Sequence, residues 1–219
     1  FSCHFPICLV LHIICLSDLL LLILHLSARL SYCGVYNKVA GENAVGQLDN
    51  KVAIVTGAAR GLGRAYAEAM AREGAAVVAC DINSCEETVA AIVADGGQAI
   101  AVVTDVASLE SCQALADRAM EAFGRIDVLV NNAALYAGLK GARFEQLEED
   151  QWDAVMNINV KGVWQCSKAV VSAMRAGGGG SIINISSLAA VYGLPYGLDY
   201  VASKAAVIGM TRGMARELG

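Results

Sequence analysis

Lys51-Val-Ala-Ile-Val-Thr56-Gly57-Ala-Ala-Arg60-Gly61-Leu62-Gly63-Arg64 is the stretch that decides how this chain folds. Val52 to Val55 form a short, wholly apolar run, which suits a strand buried on both faces. A glycine-rich turn follows, and then an amphipathic helical pattern from Gly61. In that turn Gly57 meets a need for positive φ or tight curvature. Gly61 and Gly63 let backbone and helix come close to a ligand, and the free amides and dipole of a helix N-terminus favour a diphosphate. A glycine-rich loop by itself can be a plain turn. Here the strand before it and the helix after it supply the context that a dinucleotide cradle requires. Gly57, Arg60, Gly61, Leu62 and Gly63 are therefore the first candidate cofactor-binding residues.

Outward from this stretch, short β-branched runs alternate with longer amphipathic segments, the pattern of βαβ units around a parallel sheet. The expected strands are Val52–Thr56, Ala76–Cys80, Ala99–Val103, Val128–Asn131 and Ser181–Ile185. The expected helices are Gly61–Glu73, Cys85–Asp95, Leu109–Phe123, Glu149–Met174 and Asp199–Leu218. Gly74, Gly96-Gly97, Gly124 and the run Gly177–Gly180 punctuate the breaks. The fold expected is α/β, a doubly wound parallel sheet of Rossmann type in a single domain spanning residues 48–219.

Composition narrows the function classes. The 219 residues carry a formal net charge of −5 and no local run of Lys and Arg, so nucleic acid is not an expected partner. The eight cysteines match no zinc or CxxC spacing, so no metal site is expected and the thiols read as reduced residues of a cytoplasmic protein.

Residues 1–44 pose a separate question. Phe5 to Leu26 is almost continuously apolar, interrupted by His12, Asp18 and His25, and is long enough for a membrane span. Burying Asp18 in a bilayer would cost roughly 2.5–3.5 kcal/mol, which the surrounding Leu and Ile residues can offset. The chain does not begin with Met, and no Met precedes Met70. Three readings stay open: translated sequence upstream of a start near Val45, a signal or membrane anchor, or a buried helix. A membrane is expected as a partner only if this segment is a genuine span.

Chemistry-bearing residues fall at the ends of the expected strands. Asp81 closes Val77-Val78-Ala79-Cys80-Asp81, where a carboxylate accepts hydrogen bonds from both ribose hydroxyls of NAD and repels the additional phosphate of NADP. Arg60 pulls toward NADP, since a guanidinium beside the cradle pairs with a phosphate. Asp81 could instead cap the next helix. Tyr200-Val-Ala-Ser-Lys204 sets a phenol and an ammonium on one helix face. A nearby cation stabilises a phenolate and makes tyrosine a usable acid and base near neutral pH. The core holds no histidine to compete, because His4, His12 and His25 all lie in the leader. A serine at the carboxyl end of the fifth strand, Ser187 or its neighbour Ser186, can hydrogen-bond a substrate oxygen.

Thr56-Gly57-x-x-x-Gly61-x-Gly63, Asp81, Asp105-Val106, Asn131-Asn132-Ala133-Ala134, Asn159, Ser187 and Tyr200-x-x-x-Lys204 occur in this order and together resemble the classical short-chain dehydrogenases/reductases over residues 48–219. The resemblance implies an oxidoreductase that transfers hydride between NAD, with NADP as the weaker alternative, and a small apolar secondary alcohol or ketone. It implies Tyr200 as the acid and base, Ser187 as the residue holding the substrate oxygen, and Lys204 as the residue that lowers the Tyr200 pKa and binds the nicotinamide ribose. Asn159, rather than Asn157, matches the family asparagine that anchors a proton-relay water. Asp105 and Val106 would contact adenine, and Asn132 and Ala133 the adenosine side of the cofactor.

The pattern departs from the family at Ala134, where glycine is common, and at Gly219. The family continues beyond that point into two more strands, a substrate-covering segment and a nicotinamide-contacting turn. The expectation is thus a domain incomplete at its C-terminus, with the fifth strand left as an exposed apolar edge. Leu135–Phe144 and Leu188–Leu198 would form the remaining pocket walls. The resemblance also implies a homotetramer built on the helices that begin near Trp152 and Tyr200. An NADP-dependent 3-oxoacyl or ketone reductase is the alternative enzyme, and a non-catalytic cofactor-binding fragment the alternative of another class.

Overall fold

The computed structural model describes residues 7–14 and 46–219. The apolar run Val52–Thr56 is indeed a strand, β2, with every residue buried. β3 (Ala76–Asp81), β4 (Gln98–Val103), β5 (Val128–Asn131) and β6 (Gly180–Ser187) follow it, and β1 (Ile7–Ile14) precedes it. All pair in parallel, in the order β1-β6-β5-β2-β3-β4. The chain works outward from β2 through β3 to β4, then crosses back to β5 on the other side of β2. The carboxyl ends of β2 and β5 therefore lie side by side with their following segments diverging, the arrangement that opens a ligand crevice in such sheets.

Alternation along each strand builds a core on either face. Val52 and Ile54, with Val78, Leu129 and Ile182, meet Leu115 and Ala119 of α3 (Leu109–Phe123) and Val170 and Met174 of α5 (Gly162–Ala176). Ala53 and Val55, with Val77, Ala79 and Val130, meet Tyr66, Ala67 and Met70 of α1 (Gly61–Arg72) and Ile92 of α2 (Glu86–Ala94). Both faces are covered, which is why the strands read as apolar runs. Caps bound α3: the Ser108 hydroxyl accepts from the Ser111 N–H at its start, and Gly124, the expected break, closes it with φ of 74°.

Two expectations change. The fifth strand of the core, β6, is not left as an open edge, because Ile7–Ile14 runs parallel to it from Ile7 opposite Gly180 to Ile14 opposite Ser187. The run Ile-Cys-Leu-Val-Leu-His-Ile-Ile is apolar enough for a bilayer, but equally suits a strand satisfying the free backbone groups of a sheet edge. The rest of the leader, residues 1–6 and 15–45, lies outside the described residues. Among the described residues, no helix is long and apolar enough to cross a membrane.

The second change concerns the helix expected over Glu149–Met174. It is α4 (Glu149–Met156), a π-helical turn over Asn157–Lys161, and then α5, with the Gly162 N–H reaching back to the Asn157 carbonyl. The wider turn accommodates Asn159, which is fully buried and hydrogen-bonded on both sides of its amide. A short helix α6 (Ala189–Tyr192) and the long α7 (Leu198–Leu218) complete the chain.

At the opposite end of the sheet from the crevice, Asp127 accepts the Val52 N–H at 2.9 Å and two hydrogen bonds from Arg125 at 2.7 and 2.6 Å, with Lys51 at 3.5 Å. Burial works to raise its carboxyl, but the Arg125 bonds, the Val52 N–H and the charges of Arg125 and Lys51 outweigh that and hold it below its ordinary value. A carboxyl depressed in the folded state stabilises the protein above its unfolded pKa and ceases to do so as pH falls through the folded one. Asp127→Ala should accordingly cost about 1–3 kcal/mol at neutral pH. In denaturant titrations against the unsubstituted protein, that gap should narrow below pH about 4, near the unfolded value.

Candidate active site

The carboxyl ends of β2, β3, β4, β5 and β6 bring nearly all the expected functional residues to one edge of the sheet. At β2, Gly57 turns the chain with φ of 68°, and a Cβ there would stand 2.9 Å from both the Ala133 Cα and the Asn132 Nδ2. Gly63 lies one turn into α1 and faces Gly57, where any side chain would collide with the Gly57 carbonyl. Gly61, in contrast, has nothing within 4 Å of where a side chain would begin. The loop is thus closed behind and open in front.

Arg60 occupies the cap position of α1 in extended conformation without a side-chain cap bond, and no acidic residue stands in the first turn. The leading amides of α1 keep their donors for an anion, and Arg60 and Leu62 are exposed beside them. These residues fit the diphosphate of a dinucleotide: a cradle that a Cβ would fill, lined by backbone donors.

Asp81 ends β3 next to this loop. Its carboxylate accepts from the Ala59 N–H at 3.3 Å and from the backbone and side-chain nitrogens of Asn83 at 3.0 and 3.1 Å. The helix-capping alternative does not apply, because α2 begins at Glu86 with Cys85 in the cap position. Asp105 lies beyond β4 and accepts the Ala107 N–H at 2.9 Å. Val106 is buried, and its carbonyl accepts from Gln165 Nε2 at 2.7 Å.

Asn132 donates from Nδ2 to the Thr56 and Gly57 carbonyls at 2.9 and 3.3 Å, while the Asn132 and Ala133 N–H groups both donate to the Thr56 hydroxyl at 3.0 and 2.9 Å. Thr56 stands in the quoted motif without an assigned role. Its position at the strand end, directly before Gly57, was the available signal.

On the β6 side, Ser186 is buried and donates to the Lys204 carbonyl at 2.8 Å, so its hydroxyl is spent on packing. Ser187 accepts the Ala189 N–H at 3.2 Å and lies against the Tyr200 phenol. Of the two serines, Ser187 is the one whose hydroxyl stands beside Tyr200. Lys204 is buried, donates from Nζ to the Ile185 carbonyl at 2.8 Å, and stands 5.8 Å from the Tyr200 ring centre. Burial pushes its ammonium down to about 8.

Tyr200 differs from the sequence expectation. Burial raises its phenol, the Ser187 hydroxyl works against that, and Tyr136 adds to the rise, so the group stands above its ordinary value.

Asn159 is fully buried in the π-helical turn. Its Oδ1 accepts the Leu135 N–H at 2.7 Å, and its Nδ2 donates to the Leu135 carbonyl at 3.2 Å and to Ser203 Oγ at 3.1 Å. The side-chain amide therefore holds the segment after β5 rather than facing open space, whereas Asn157 is exposed. Tyr136, in that segment, sets its ring 4.6 Å from that of Tyr200 with the planes at 45°. The arrangement places a half-buried phenol, a hydroxyl and a buried ammonium together at the mouth of a dinucleotide-type crevice, which is the equipment for moving a proton next to a hydride acceptor. Among the described residues, no group of His, Cys, Asp and Glu is placed to hold a metal.

Known proteins resemble this chain in sequence and fold. An uncharacterized oxidoreductase of Mycobacterium tuberculosis is 51% identical over 174 residues, covering 78% of this chain and 68% of its own length. The 3-oxoacyl-acyl-carrier-protein reductase FabG of Thermotoga maritima is 40% identical over 176 residues, covering 78% and 70%. A Sinorhizobium meliloti 1021 crystal structure assigned as a short-chain alcohol dehydrogenase superposes with a TM-score of 0.74 at 35% identity, covering 80% of this chain and 69% of that one. The profile described as short chain dehydrogenase matches residues 51–219. With the crevice, the glycine cradle and the Ser187–Tyr200–Lys204 cluster in place, the chain belongs to the short chain dehydrogenase family of oxidoreductases.

Proposed function

We propose that this chain is an NAD-dependent dehydrogenase of a small, apolar secondary alcohol, with residues 48–219 as its catalytic domain. The observation that carries the reading is the convergence of the Ser187 hydroxyl, the Tyr200 phenol and the Lys204 ammonium at the carboxyl end of β6. When bound, the nicotinamide supplies the hydride acceptor. Gly57, Gly61 and Gly63, with Arg60 and Leu62 beside them, hold the diphosphate. Asp105, Val106, Asn132 and Ala133 line the adenosine side. Ser187 orients the substrate oxygen, and Tyr200 takes its proton in oxidation and returns it in reduction. Asn159 secures the Leu135 backbone beside them. Tyr136 and Leu194 present partly exposed apolar surface near this point and favour a neutral substrate.

NAD is favoured because Asp81 is pinned by Ala59 and Asn83 at the edge of the cradle, where its fixed negative charge opposes a 2′-phosphate. The alternative, an NADP-dependent 3-oxoacyl or ketone reductase, draws on exposed Arg60 and on the resemblance to the Thermotoga reductase. Half-exposed Trp164 on α5 supports assembly into a homotetramer through that helix. The free, buried thiols of Cys80, Cys85, Cys112 and Cys166 suit the reducing cytoplasm.

Fluorescence titration should show NADH binding more tightly than NADPH. Asp81→Ala should narrow that preference about tenfold, or about 1.4 kcal/mol. Tighter binding of NADPH would move the reductase reading to first place. Tyr200→Phe should lower kcat by about 10²–10⁴ with NADH affinity retained. Because the phenol is raised, alcohol oxidation, which needs the phenolate, should climb with pH across the working range, while carbonyl reduction, which needs the phenol, should stay level until pH passes the ordinary tyrosine value of about 10. Parallel pH–rate profiles in the two directions check this.

A further inference from the structure

Gln151 of α4 lies outside the cradle and outside the Ser187–Tyr200–Lys204 cluster, yet it joins two segments that meet there. Its Nε2 donates to Asp199 Oδ2 at 2.8 Å and to the Lys140 carbonyl at 3.2 Å. Asp199 is 1% exposed, and its other oxygen accepts the Tyr200 N–H at 2.8 Å. A carboxylate so deeply buried normally demands a cation, because desolvation penalises the charged form heavily. Here its observed partners are an amide and a backbone N–H in the first turn of α7, where the helix dipole favours a negative charge.

The segment that Gln151 grips, Leu135 to Ala142, is fastened at its other points too. Asn159 holds both the N–H and the carbonyl of Leu135, and the Ala142 N–H donates to the Tyr196 carbonyl at 3.2 Å. Between these anchors the segment carries Tyr136 against the Tyr200 ring. Removing the central anchor would leave Tyr136 on a span tied only at its ends.

We propose that Gln151 and Asp199 form a clasp that fixes the Leu135–Ala142 segment, and with it the Tyr136 ring, over Tyr200, making both positioning residues that set substrate fit. The inference rests on the dehydrogenase reading for its functional consequence, but the clasp itself can be tested without turnover. A bare capping role for Asp199 would involve neither Gln151 nor the segment. Gln151→Leu removes both donors from a half-buried site, whereas Gln151→Lys keeps a donor for each acceptor and faces Asp199 with the opposite charge.

The test is amide hydrogen exchange by mass spectrometry on the full chain and on both variants, alongside steady-state oxidation of cyclohexanol by NAD and NADH titration. Gln151→Leu should speed exchange about tenfold across Leu135–Ala142, with Gly57–Arg64 and Ile185–Ser187 unchanged. Gln151→Lys should restore protection. With cyclohexanol, Gln151→Leu should raise KM about tenfold while kcat stays within about threefold and NADH affinity holds, the pattern of lost substrate fit. Unchanged exchange across Leu135–Ala142 in Gln151→Leu would overturn the inference, as would equal loss of protection throughout the domain. An unsubstituted protein that binds NADH but oxidises no cyclohexanol would count against the proposed substrate class, and the exchange comparison would still decide the clasp.

Discussion

The Thr56 hydroxyl is the point on which the crevice depends. It donates to the Val130 carbonyl at 3.2 Å and accepts from the Asn132 and Ala133 N–H groups. One buried side chain thus ties the end of β2 to the end of β5 at the place where the strand order reverses. Parallel strands diverge there because their crossovers leave in opposite directions, and a backbone with unsatisfied amides at that depth would be costly. Thr56 satisfies those amides and Asn132 returns the favour by donating to the Thr56 and Gly57 carbonyls. Gly57 can then turn with a positive φ against Ala133 without opening a gap.

A second set of buried polar contacts fixes α7, and so Tyr200 and Lys204, to the sheet. Asn131 donates to Asn184 at 2.8 Å and to Ser167 at 3.1 Å, and Asn184 donates to Thr211 at 2.9 Å. The chain of amides runs from α5 through β5 and β6 to α7. In a low-dielectric interior such a network imposes one register, since sliding any member strands its neighbours' donors and acceptors. Lys204 Nζ on the Ile185 carbonyl and Ser186 on the Lys204 carbonyl extend the same logic to the site itself. The cost of this packing falls on proton affinity: burial lowers the Lys204 ammonium and raises the Tyr200 phenol.

Much of this could be read before any coordinates. The apolar runs at Val52, Ala76 and Val128 became strands at or within a residue or two of the expected ends, and the glycine spacing led directly to the cradle. The Tyr200–Lys204 spacing gave a shared helix face. Less legible were features that join residues far apart in the chain: the pairing of Ile7–Ile14 with β6, the Asn131–Asn184 bond and the Gln151–Asp199 clasp. The π turn at Asn157–Lys161 was missed for a related reason. Its local sequence is an ordinary helical pattern, and it is the need to bury and bond Asn159 that widens the turn.

Residue order alone therefore settled the α/β class, the parallel sheet, the dinucleotide-type turn and the identity of the residues gathered at the strand ends. Those follow from periodicity and backbone preference, which act over a few neighbours. The tertiary structure decided that Ser187 rather than Ser186 faces the phenol, that Tyr200 is raised rather than lowered, and that Asn159 spends its amide on Leu135. Each of these turns on desolvation and on which distant donor wins a given acceptor, quantities that do not exist until the chain has closed on itself.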